Sequence, residues 1–346
     1  MKRIREMLYG TFLVVVVAMG SCEIALAESA ADFFRKNTVT LVVTYGPGGG
    51  TDAIGRIMAY HWKMVAGGRM IIRNLPGAGG LRAMNLLYRA KPDGRTLGYT
   101  DSASSLLGPV IFKNPGIEFD ATKFTYLAAN AHVPNGIAIS PRLSANSIED
   151  MQKISGLKFG SLSIDSQAAT SALTIDIFGL KDARIVIGYG GMEEAGLALA
   201  RGEVDANSNV MHSIKDHIGK GFVKKVALVY AHERNAWFPD TPLPTELVKL
   251  TPKQKKMYHM VISLGSVKPI FAPPGLSKEK TAFLRDTLQK IFKMDSYLKK
   301  MKVRFPIMGP DFNMTAEEWT DSVNKAMAIP TAEREEFINL VKSYIR

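Results

Sequence analysis

Cysteine is almost missing: the 346 residues contain one, Cys22. A chain with a single thiol has no disulfide framework and no dithiol redox pair. Histidine is nearly as scarce, with six in all. None falls in a His-Glu-x-x-His pattern, and His212 and His217, five apart, do not share a helix face, so zinc hydrolysis has no ligand set. No Gly-x-Ser-x-Gly elbow accompanies the serines of Ser102–Ser105 and Ser161–Ser166, which removes the commonest serine nucleophile. Carboxylate pairs such as Glu193-Glu194 and Glu317-Glu318 stand at predicted helix starts, where the helix dipole explains them without catalysis. After the first segment no second long apolar run occurs, so the rest of the chain reads as soluble. There is no arginine-rich arm, aromatic ladder, internal repeat or low-complexity linker, which excludes nucleic acid as a partner and separate domains on a string.

What is present begins with an export signal. Lys2, Arg3 and Arg5 precede an uncharged stretch from Met7 to Cys22, and Ala25-Leu26-Ala27 supplies a cleavage site. The stretch is shorter than the ~20 residues a membrane span requires. Residues 1–27 are therefore read as a cleaved signal peptide and the chain as periplasmic. A lipid on Cys22 is the alternative, although Met19-Gly20-Ser21 is a poor lipobox. Without Lys2, Arg3, Arg5, Glu6 and Glu23 the formal charge falls from +12 to +11. Such a balance attracts acidic solutes. The lysines themselves, as in Lys253-Lys255-Lys256 and Lys299-Lys300-Lys302, are scattered over solvated helix faces. The remaining length exceeds one compact core and predicts two domains.

Strand and helix signals alternate. Val39–Tyr45 is a β-branched run entering Gly46-Pro47-Gly48-Gly49-Gly50, and from Thr51 the spacing of Ile54, Ile57, Met58 and Trp62 becomes helical. Strands are predicted at 70–73, 96–100, 136–139, 158–160, 184–188, 204–206, 225–230 and 268–271. Helices are predicted from about Ser147, over 168–178, up to Arg201, and near 278–292, 315–327 and 333–344. Thr315-x-x-Glu318 is a capping box. The alternation predicts an α/β fold with mainly parallel sheets.

The glycine loops carry the most local information. Gly46–Thr51 joins a strand to a helix start, where backbone N–H groups favour an anion and no Cβ obstructs its approach. It is not a Walker loop, since Thr51-Asp52 stands where Lys-Ser/Thr is required. It is not a dinucleotide fingerprint either, for want of a third glycine and a later acidic residue. A tight turn with no ligand is the competing reading of this loop alone.

Thr40-Leu41-Val42-Val43 followed by Pro47-Gly48-Gly49-Gly50-Thr51-Asp52 resembles the first ligand loop of the Bug receptors, the extracytoplasmic receptors of tripartite tricarboxylate transporters. The similarity continues through Asn74-Leu75-Pro76-Gly77-Ala78-Gly79-Gly80 and Pro92-Asp93-Gly94-Arg95-Thr96-Leu97. It extends through Phe159-Gly160-Ser161, Tyr189-Gly190-Gly191, Gly202-Glu203-Val204-Asp205, Phe238-Pro239-Asp240-Thr241-Pro242 and Phe271-Ala272-Pro273-Pro274-Gly275, spanning roughly residues 38–330.

This resemblance implies a type II periplasmic binding protein, with two Rossmann-like lobes and a ligand cleft between them. The expected division is 28–134 for the first part of lobe 1, 135–262 for lobe 2, and 263–346 for the completion of lobe 1 and the C-terminal helices. The implied ligand is a small organic acid. It is expected to touch Tyr45, Gly48, Gly49, Gly50, Thr51 and Asp52 on one loop and Tyr189, Gly190 and Gly191 on the other. Ser102, Ser104, Ser105, Ser161, Ser163 and Asn209 are expected to line the cleft. The implied protein is a monomeric, non-enzymatic receptor without cofactor or metal that serves membrane transporter subunits. An exported enzyme acting on a small anion, or a sensory receptor using the same clamshell, is the alternative. The chain departs from the pattern at Ser102-Ala103-Ser104-Ser105, at Leu162-Ser163-Ile164-Asp165 and at Met192-Glu193-Glu194. The two glutamates either cap their helix and face solvent or meet an ammonium on a zwitterionic ligand. Leu243–Ser266 is expected to add a surface helix.

Overall fold

The computed structural model describes residues 28–345, apart from 163, 165, 190–191, 236 and 306–312. Residues 1–27, and with them the signal peptide and Cys22, lie outside the described residues. Two mixed sheets organise the chain. The first contains β1 (Val39–Val43), β2 (Met70–Asn74), β3 (Thr96–Tyr99), β4 (Thr125–Val133), β10 (Ser266–Ala272) and β11 (Asn313–Met314), in the order β11-β4-β10-β3-β1-β2. The second contains β5 (Asn135–Ile139), β6 (Lys158–Ser161), β7 (Arg184–Ile187), β8 (Ala206–Val210) and β9 (Lys225–Tyr230), in the order β7-β6-β8-β5-β9.

The chain passes from the first sheet to the second within one residue, Pro134, and returns between β9 and β10. The strand that follows each passage, β5 or β10, runs antiparallel to both neighbours, as does β4 between β10 and β11. Around them β1–β2–β3 and β6–β7–β8 keep the parallel pairing of an α/β sheet. Strands β1 and β3, parallel neighbours, therefore end on loops at the same edge of the first sheet.

The sequence and the structure differ at particular elements. Strand β4 was not expected, because Thr125–Val133 carries polar Asn130 in an alanine-rich run; Tyr99 donates to that asparagine's Oδ1 at 3.0 Å, and its Nδ2 donates to Asn313 at 2.8 Å. The strand expected at 204–206 lies at Ala206–Val210 instead, where ANSNV has no apolar alternation to announce it. The helix from Ser147 lasts only from Ile148 to Met151, and helix Asp295–Arg304 was missed. Helix Pro252–Ser263 exists, but it is more than a surface addition: Met257, Tyr258, Met260, Val261 and Ile262 are buried.

Helices Lys278–Lys293, Asp295–Arg304 and Ala316–Met327 pack on the first sheet or its helix Gly50–Ala66. The last helix, Thr331–Tyr344, packs instead against Ser166–Phe178 beside the second sheet, and Ile345 bridges Ile185 of β7. Aromatic side chains fill the core: Phe34 meets Trp62 edge-on at 6.1 Å, and Phe124 lies 4.6 Å from Phe271. Gly98 of β3 is required there, because a Cβ at that position would lie 2.3 Å from the Phe271 ring. Among the described residues no helix is long and apolar enough to cross a membrane.

Candidate functional site

The first glycine loop leaves β1 and enters helix Gly50–Ala66. Gly48 has φ +88°, a left-handed conformation that favours glycine. Gly49 is the N-cap and has no side chain with which to cap the helix. It is exposed, and a Cβ placed on it would meet nothing within 4 Å. The first amide groups of this helix are thus open towards an incoming acceptor.

Asp52, in the first turn, points the other way. It is buried and accepts hydrogen bonds from the Gly48 N–H at 2.8 Å, Arg56 Nε at 2.9 Å and Asn74 Nδ2 at 3.0 Å. Burial opposes its ionisation, but the bonds from Arg56, Gly48 and Asn74 outweigh it and hold the carboxyl below its usual range. Asn74 also donates to the Tyr45 carbonyl at 2.9 Å. Asp52 is the clamp that shapes the loop, and Thr51 beside it is buried.

The serine loop at the end of β3 is joined to the glycine loop by Tyr45. Its hydroxyl lies 2.7 Å from Ser104 Oγ and 2.5 Å from Ser105 Oγ, and Ser105 donates to the Gly79 carbonyl at 2.6 Å. Burial, and then the Asp101 charge, push the Tyr45 hydroxyl up to about 12, so it stays a neutral phenol. Ser102 is buried and turned towards the Gly265 carbonyl at 3.4 Å.

Behind the serines sits a group that sequence reasoning missed. Asp101 accepts from the Ala103 N–H at 3.1 Å, from Ser266 Oγ and, at 3.3 Å, from the ammonium of buried Lys268. The signal was a lysine inside the strand SVKPIFA, every residue of which is buried. A buried lysine requires a partner.

On the second lobe, Tyr189 lies over Gly160, its Cε2 3.3 Å from where a Cβ of that glycine would be. Ser161 is buried at the end of β6, and Asn209 is buried on β8 with its Oδ1 accepting the Val210 N–H at 2.8 Å. The Asn209 Nδ2 and both amide atoms of Asn207 are enclosed without a hydrogen-bond partner. Ser163, Gly190 and Gly191 lie outside the described residues.

A cavity of about 800 Å³ opens between the lobes. Gly48, Gly49 and Gly50 form one wall, with Arg304 and Phe305 beside them, and helix Met211–Gly219 of the second lobe faces them. Glu193 lines this cavity and shares one ammonium with Asp216: Lys220 donates to the two oxygens of Glu193 at 2.9 and 3.1 Å and pairs with Asp216 at 2.8 Å. Glu193, Asp216 and His217 present ligand atoms within 4.8 Å of one another, the spacing of a cation site, and the Lys220 ammonium binds both carboxylates of that group.

His212 lines the same cavity, its Nδ1 buried without a partner. Burial, reinforced by the Lys268 charge, lowers its pKa to about 3. It therefore offers the cleft a neutral imidazole. The open amides of the glycine loop, with Arg304 beside them, can bind an anion.

Comparison with known proteins agrees with this geometry. The model of the tripartite tricarboxylate transporter family receptor matches residues 54–329. A UPF0065 protein of Bordetella pertussis is 29% identical over 262 residues, covering 72% of this chain and 75% of its own. Among solved structures, malate-bound MatC from Rhodopseudomonas palustris superimposes with a TM-score of 0.65 at 20% identity, covering 88% of this chain and 99% of that one. The adipate complex of R. palustris Rpa4515 gives a TM-score of 0.67 at 20% identity, with 89% and 98% covered. Both share the two-lobed type II periplasmic binding fold. The chain belongs to the tripartite tricarboxylate transporter receptor family.

Proposed function

We propose that this protein is exported with removal of residues 1–27, captures a small organic carboxylate between its lobes in the periplasm, and presents it to a tripartite tricarboxylate-type transporter as a non-enzymatic receptor. The observation that carries the reading is the uncapped start of helix Gly50–Ala66, open to an inter-lobe cavity in which Lys215, Lys220 and Arg304 stand against Glu193 and Asp216. Fold relatives that hold malate and adipate support the same ligand chemistry. The ligand carboxylate accepts from the amides of Gly49, Gly50 and Thr51, and the Tyr189–Gly190–Gly191 loop closes on it from the second lobe. Tyr45, Ser104 and Ser105, which are not among the residues lining that cavity, tie the serine loop to the glycine loop, and Asp52 holds the glycine loop in shape. Because both loops reach the ligand only when the lobes meet, binding favours the closed form.

A thermal-shift screen followed by calorimetry tests this. Malate, succinate, adipate and citrate are compared with amino acids and amides, since a ligand at 100 times its Kd adds about 2.7 kcal/mol to stability. At least one carboxylate is expected to raise Tm. Gly49→Val is expected to abolish that shift while leaving the apo protein folded, because the added side chain enters open space where only a ligand would be met. Stabilisation by uncharged compounds alone would overturn the proposal.

A further inference from the structure

The inter-lobe cavity is lined by more than polar groups. Phe305 stands directly beside the glycine loop: a Cβ on Gly50 would lie 3.7 Å from its ring. The Arg304 guanidinium lies 5.1 Å from the centre of that ring and belongs to the same wall. On the second lobe, Trp237, in the connection that follows β9, lines the cavity as well. Of the three tryptophans it alone is half-exposed, Trp62 and Trp319 being fully buried in the core. An indole and a phenyl ring, one contributed by each lobe, thus line one inter-lobe cavity.

From this we infer that the receptor selects a carboxylate bearing an aromatic ring over a compact aliphatic acid, its ring packed between Trp237 and Phe305 and its carboxylate directed to Gly49–Gly50 and Arg304. This inference rests on the carboxylate reading above and specifies its ligand class. Ring faces and edges pair with other rings more favourably than with alkyl chains of equal area. The exposed guanidinium adds a planar donor pair for a carboxylate. Closing the lobes brings the two rings onto opposite faces of the ligand and expels water from both.

The test measures calorimetric affinities of the full-length mature protein for benzoate, 4-hydroxybenzoate and terephthalate beside malate and adipate. At least one aromatic acid is expected to bind about tenfold or more tightly than either aliphatic acid. Trp237→Ala is expected to lose about tenfold for the aromatic probe with no change for the aliphatic ones, and Trp237→Phe to recover most of the loss. Quenching of the indole emission by the aromatic probe should disappear in both variants, since Trp62 and Trp319 are sealed in the core. Aliphatic acids binding as tightly as aromatic ones, or a Trp237→Ala effect equal on both series, would overturn this inference and leave the carboxylate reading standing. If no carboxylate of either series binds, both are wrong.

Discussion

Asp52 and Asp101 are two carboxylates beside one cleft, and both are already committed to the protein. Asp52 ties Gly48, Arg56 and Asn74 together; Asp101 ties the serine loop to Ser266 and Lys268. Each is therefore engaged by donors of the protein itself. His212 is the complementary case, a base kept uncharged. Its folded pKa of about 3 lies below the ordinary histidine value near 6.5, so the unfolded chain binds the extra proton first as the pH falls. Its stabilising contribution is complete above about pH 6.5 and is lost on acidification towards pH 3. Between pH 6.5 and 5 this one group is expected to remove about 2 kcal/mol of stability. Urea denaturation at pH 7 and pH 5 should show that loss in the wild type and a smaller one in His212→Gln; equal losses would mean the imidazole is solvated. His217, also lowered by burial although Glu193 partly offsets it, acts in the same direction.

At the level of elements, local signals and tertiary demands separate cleanly. Thr315 accepts the Glu318 N–H at 3.2 Å and Glu318 accepts the Thr315 N–H at 2.7 Å, the reciprocal box its spacing announced. This helix buries Trp319 and Val323 against β4, so its start matters to the first lobe. Thr315→Ala is expected to cost about 1 kcal/mol; an unchanged midpoint in chemical denaturation would show that the helix start is held by packing alone. The short helix Ile148–Met151 and the long strand β4 have no such local marker. Tertiary pairing with β10 and β11 makes β4 a strand in spite of its alanines and asparagine.

For the whole molecule, the two inter-sheet passages and the return of helix Thr331–Tyr344 to the second lobe tie the halves by three connections. Lys299, Lys300 and Lys302 of helix Asp295–Arg304 are exposed, as their scattering in the sequence implied, and they contribute to the strongly positive formal charge of the chain. Export belongs to this scale too. The protein recovered from the periplasm is expected to begin at Glu28; an intact mass that retains Cys22 with a diacylglycerol would show a lipid-anchored receptor instead.

Periodicity and punctuation determined much by themselves. β-Branched runs ending in glycine marked β1 and the loop that follows, helical spacing marked Gly50–Ala66, and ordered glycine motifs marked the family, because these features depend on neighbours in the chain. What only the tertiary structure decided depends on neighbours in space. Asp52 turns inward because Asn74 and Arg56 await it there, and Glu193 is paired because Lys220, far along the chain, reaches it. Lys268 tolerates burial because Asp101 reaches it from the loop after β3. Trp237 and Phe305 stand on opposite lobes and are separated in sequence by β10 and four helices. No pattern along the chain could bring them to one cavity; two lobes folded face to face do.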